Sequence, residues 1–167
     1  LWTTLDAVQT VATADALLRV SVEGLTSDVA GMRPDAATWS IAEYVDHLAK
    51  IFGLIALSVR AAVAEPGLAV EEPIGPAFDP AVARIDLASA LVDFGAAATD
   101  SATLFRTVSS AEWESALQLG TRDWTARALL VHLCHDFMHH LTDVARIRAS
   151  LEPEFGSLDG TVSQLNA

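Results

Sequence analysis

Cysteine is nearly missing from this chain: the single Cys134 in 167 residues rules out an internal disulfide framework and fits a reducing compartment. A lone thiol within the apolar run of a helix reads as inert core rather than as a nucleophile. Basic residues are scarce as well, ten Lys and Arg against 22 Asp and Glu, for a net charge of −12. With no Lys/Arg cluster to neutralise phosphates, nucleic acid is not an expected partner. An anionic membrane surface, whose attraction depends on polybasic segments, is not expected either. About half the residues are apolar (51%), yet no uninterrupted apolar run approaches the roughly 20 residues that span a bilayer. The amino terminus shows neither a basic segment leading into an apolar core and cleavage site nor an Arg-rich transit pattern. These absences lead to the expectation of a soluble, cytoplasmic protein.

Strand-like alternation is also nearly lacking, and helical periodicity dominates, so the expected class is all-α. The length suits one domain able to bury a core without staples. Over about residues 5–29, Leu5, Val8, Val11, Leu17, Leu18, Val22 and Leu25 form the stripe of an amphipathic helix, closed by Gly31 and Pro34. Ser40 followed three residues later by Glu43 reads as a capping box that starts a second helix, running to about Ala64. Pro66, Pro73, Pro76 and Pro80 then mark a long connection, expected to cross the bundle or line a site. A third helix is expected over about 81–107, anchored by Val82, Ile85, Val92, Leu104 and Phe105. Residues 109–122 read as a capped short turn around Trp113 and a loop. A fourth helix follows Thr125, its apolar run reaching about Ile147. The expected architecture is an up-and-down style four-helix bundle over residues 1–150, with the long crossover connection between helices 2 and 3. Residues 151–167 are expected to form a polar C-terminal tail.

One internal echo stands out. Trp39-Ser40 precedes His47-Leu48 by eight residues, and Trp124-Thr125 precedes His132-Leu133 by eight. Two helices therefore start on the same Trp-hydroxyl pair and carry a His equally far from the start, which predicts similar heights for His47 and His132.

Four of the five histidines, His132, His135, His139 and His140, crowd into nine residues of the last helix. At about 100° per residue, with His132 at zero, the large apolar residues from Leu129 to Ile147 centre near roughly 110 to 130°. His140 then falls at about 80° and Asp136 at about 40°, at the edge of the buried face, whereas His139 and His135 fall at about −20° and −60°, turned mostly away. Residues 132, 136 and 140 are expected to form an inward row. Side chains four apart stack on one helix face, so Asp136 and His140 can reach a common ion. His47 is the one histidine elsewhere, on an apolar face with Tyr44, Leu48, Ile51, Leu54 and Ile55, and is the natural third ligand, the alternative being a hydrogen-bonded core histidine. His135 and His139 are also four apart, and a shift of one residue would make them the pair instead.

The motifs Trp39-Ser40-x-x-Glu43-x-x-x-His47-Leu48-Ala49 and His139-His140-x-x-Asp143-Val144 resemble those of the DinB-like superfamily of metal-binding four-helix bundles, nearest the branch that includes mycothiol-dependent maleylpyruvate isomerase. The resemblance implies a His ligand eight residues after the Trp, here His47. It also implies a pair spaced by four on the last helix, matched by Asp136 and His140, with Asp143 at the polar plus-three place. Asp136 departs from the pattern, standing where the family has a longer Glu or a His.

The resemblance further implies a divalent ion, zinc or nickel on the preference of imidazole ligands, and a thiol-dependent transferase or isomerase. The partners would be a small electrophilic substrate and a low-molecular-weight thiol such as mycothiol. His132 is a candidate catalytic proton carrier, and Asp143 a candidate acceptor that fixes an imidazole tautomer. The competing reading is a non-catalytic module that sequesters a metal or ligand, or forms a homodimer through an apolar helix face.

Overall fold

A computed structural model describes residues 3–71 and 85–165, with side chains described as far as Leu151. Four long helices carry the fold: α1 (Thr4–Ser21), α3 (Ile41–Ala64), α4 (Leu87–Thr107) and α5 (Ala126–Leu165). A short α2 (Ser27–Ala30) and a 3₁₀ turn (Glu112–Glu114) lie in the connections. The strands β1 (Ala69–Val70), β2 (Ala116–Leu119) and β3 (Arg122–Thr125) form a small sheet, with β1 parallel to β2 and β2 antiparallel to β3.

Side-chain contacts set the helix directions. Arg127 donates to the Thr4 hydroxyl at one end of α1 and Arg148 to the Ser21 carbonyl at the other, so α1 and α5 run parallel. Arg19, late in α1, donates to the Leu91 carbonyl early in α4, which makes that pair antiparallel. His47 meets His140 and Phe52 meets Phe137, so α3 is antiparallel to α5. The path is therefore up, down, down, up, and not the simple alternation of an up-and-down bundle. The connection between α3 and α4 leaves one end of the bundle and re-enters at the other, as a crossover must. Residues 72–84, which hold most of that connection, Val82 included, lie outside the described residues.

The capping box at the start of α3 is present in full. The Ser40 N–H donates to Glu43 Oε2 at 2.6 Å, and the Glu43 N–H donates to Ser40 Oγ at 3.3 Å. Arg33 adds a bidentate ion pair to the same carboxylate. Burial alone would raise the Glu43 pKa, but the hydrogen bonds from Arg33 and Ser40 outweigh it and leave the pKa lowered. A lowered folded pKa means stability that is complete above the ordinary value of 4.5 and is lost as pH falls through the folded value. Glu43→Gln should therefore melt below the wild type at neutral pH and converge with it in acid. Tm measured across pH checks this, and a difference that persists unchanged in acid would refute it.

Elsewhere the expected boundaries shift. The first helix does not run to residue 29: it ends at Ser21, where the chain turns through Gly24 at φ +79°, a left-handed conformation that glycine tolerates best. Leu5 (77% exposed) and Val92 (67% exposed) are not core anchors, and the small Ala7 and Ala14 line the buried face of α1 instead. The loop expected before Arg122 is a hairpin, with Leu117 and Leu119 buried and Gly120 at φ +60° opening a two-residue turn. The last helix continues beyond Ile147 to Leu165.

Among the described residues, α3 has the length and apolarity that a membrane span would also show. It carries Glu43, Asp46, His47 and Lys50, and it buries ten residues in the bundle, a role that accounts for its apolar character.

Candidate metal centre

His47 lies one turn beyond Glu43, so the capping box that fixes the start of α3 also fixes where this imidazole emerges. Asp136 and His140 occupy successive turns of α5 on the flank that faces α3. Ligand atoms of His47, Asp136 and His140 all lie within 4.8 Å of one another, and all three residues are half-buried. His140 Nε2 stands 3.5 Å from Asp136 Oδ1. Donors about 2.0–2.2 Å from one tetrahedral ion sit roughly 3.3–3.6 Å apart, so this pair already has the spacing that a shared ion requires. The His47 and His140 rings meet edge-on, 5.1 Å between centroids at 86°. Two imidazoles and a carboxylate are a donor set suited to a borderline divalent ion.

The other ring nitrogen of His140, Nδ1, is buried and makes no hydrogen bond, with Asp143 Oδ2 3.5 Å away. Imidazoles that bind a metal through one nitrogen commonly donate the other to a carboxylate. Asp143 lies beside this nitrogen without a hydrogen bond to it.

Aromatic rings enclose the cluster. Trp39 packs against His47 at 5.0 Å and lies 6.5 Å from His140, and Tyr44 packs against His140 at 5.1 Å. Burial first, and then the Asp143 charge, raise the Tyr44 pKa, so its phenol stays protonated at neutral pH and can donate a hydrogen bond. Tyr44 was legible only as a member of an apolar face. Its position three residues before His47, one helical turn away, was the available signal.

The expected inward row stops at Asp136. His132 is exposed and packs on Trp124 at 5.2 Å, outside the cluster. The internal echo is real, because Trp39 covers His47 as Trp124 covers His132, and Thr125 caps α5 through the Ala128 N–H. Because α3 and α5 are antiparallel, however, equal distances from the two helix starts correspond to different heights. His140, two turns beyond His132, is the residue level with His47. His135 and His139 are exposed and turned away. Cys134 is buried, donates to the Ala7 carbonyl at 3.4 Å, and has its pKa pushed up to about 12 by burial, which makes it core.

The fold is shared with a solved structure of Bacillus subtilis YfiT, described as a probable metal-dependent hydrolase with an unusual four-helix bundle topology. It superposes with a TM-score of 0.75 at 16% identity, covering 89% of this chain and 87% of that one. No curated protein matches the sequence. The family model of the DinB superfamily matches residues 9–144, which take in most of α1, all of α3 and α4, the sheet strands and all three clustered side chains, and the chain belongs to that superfamily.

Proposed function

We propose that the chain is a metal-dependent enzyme that binds a divalent ion, zinc or nickel, through His47, Asp136 and His140, and uses it to activate a low-molecular-weight thiol of the mycothiol type in a transfer or isomerisation reaction. The observation that carries the metal reading is the convergence of two imidazoles and one carboxylate from α3 and α5. Three protein ligands leave a coordination position open, as catalytic sites do and closed structural sites do not. When bound, the ion supplies Lewis acidity, lowering the pKa of a thiol or water that reaches the open position.

The chain's own residues orient and enclose. Trp39 shields His47, Tyr44 offers a phenol hydrogen to an electrophile's developing negative charge, and Asp143, 3.5 Å from His140 Nδ1, is the carboxylate that would orient that ring when the ion is bound. The thiol has to come from outside, since Cys134 is protonated and buried. His132, exposed and packed on Trp124 outside the cluster, has no part in this reading.

The same centre would serve water as nucleophile, and the description of YfiT favours hydrolysis as the second reading. Metal-replete protein should consume mycothiol, or a surrogate thiol, together with a small electrophile, and both metal-stripped protein and His140→Ala should lose that turnover. Thiol-independent cleavage of ester or amide substrates by the metal-replete protein would replace the thiol reading with the hydrolytic one. Metal binding without turnover in either assay would leave the binding-module reading.

A further inference from the structure

The outer face of α5 carries a second pair of histidines, independent of the inner cluster. His135 and His139 are exposed, their rings 4.4 Å apart between centroids and their Nε2 atoms 3.2 Å apart. Nitrogens about 2.0–2.1 Å from one ion lie roughly 2.9 Å apart at a 90° angle and roughly 3.4 Å apart at the tetrahedral angle. The observed separation falls between these limits, so both imidazoles can ligate a single ion without moving the helix. The pair flanks a depression of about 330 Å³ also lined by Val131, Met138 and Thr142, which leaves room for the remaining coordination positions to be filled by water.

We propose that His135 and His139 form a second metal site, a two-imidazole chelate for a borderline divalent cation, copper(II) above the others, separate from the centre formed with His47. Successive turns of one helix supply the two ligands, so the site is preorganised by α5 itself and needs no contribution from another helix. Imidazole pairs suit copper, nickel and zinc, and affinity for a given site of this kind is greatest for copper(II). Having two protein ligands instead of three, the outer site is the weaker of the two. The competing explanation of the 3.2 Å separation is a hydrogen bond between two neutral rings, which binds no metal.

Copper(II) titration of the whole protein, followed by calorimetry and by electron paramagnetic resonance, distinguishes them. Wild type should bind a second, weaker equivalent with a nitrogen-coordinated signal. His135→Ala and His139→Ala should each weaken that equivalent about tenfold or more, at least the loss that removal of a mere supporting partner can cause, and should leave the tighter equivalent unchanged. His47→Ala should do the opposite, so that failure of the inner site and failure of the outer one are read from different variants. Both outer histidines are exposed, so their replacement leaves the core intact. Absence of a second equivalent in wild type, or its survival in His135→Ala and His139→Ala, overturns the proposal.

Discussion

Replacing His140 with alanine should cost the protein its stoichiometric metal. The substitution removes one of the three proposed ligands and with it the 3.5 Å approach to Asp136. Loss of supporting partners alone weakens metal sites by about 10- to 100-fold, so loss of a ligand should exceed about 100-fold. His47→Ala should do the same from the opposite helix. Asp136→Asn keeps the size of the side chain and removes its charge, and it should weaken binding without disturbing the fold. Elemental analysis after dialysis against a weak chelator reads the result directly. Undiminished metal in His47→Ala and His140→Ala alike would remove the inner centre from consideration. All three side chains are only half-buried, so circular dichroism should show all three variants folded.

Local signals were legible in the sequence, and long-range geometry was not. Ser40 and Glu43 announced the start of α3 because a capping box is closed by residues three apart, and Thr125 announced α5 as a single hydroxyl cap on the Ala128 N–H. Rotation about α5 separated Asp136 and His140 from His135 and His139 correctly, since a helix's periodicity depends only on its own residues. The expected equivalence of His47 and His132 failed because it required the relative direction of two helices, which no local pattern records. The hairpin at 116–125 escaped notice for a different reason. Four-residue strands show too few alternations to stand out against helical periodicity, although Gly120 at the first position of a two-residue turn was a usable sign. The break at Gly24 was hidden by apolar residues that happened to continue the helical spacing across it.

The largest stability loss should follow Phe137→Ala. Phe137, Phe52 and Phe94 are each fully buried, come from α5, α3 and α4, and form one aromatic cluster at the middle of the bundle. Phe52 meets the other two rings edge-on, at 5.0 Å from Phe94 and 5.8 Å from Phe137, while Phe94 and Phe137 lie nearly parallel at 6.2 Å. Truncating such a side chain typically costs about 3–5 kcal/mol, because the transfer energy is lost and the cavity fills only in part. That is a large share of the roughly 5–15 kcal/mol that holds a domain folded. Phe137→Leu keeps much of the volume and should cost markedly less. Phe137 directly follows Asp136 and precedes His140 by three residues, so its packing also fixes the rotation of α5 that aims both side chains at His47. Urea unfolding with and without metal tests both roles. An ion that binds only the folded state at about 100 times its Kd adds about 2.7 kcal/mol, so metal should restore part of the Phe137→Ala loss. The increment should be smaller than in wild type if the loosened helix aims its ligands less well. A loss below about 1 kcal/mol, well short of the cost of emptying a core site, would mean that the three rings do not hold the bundle together.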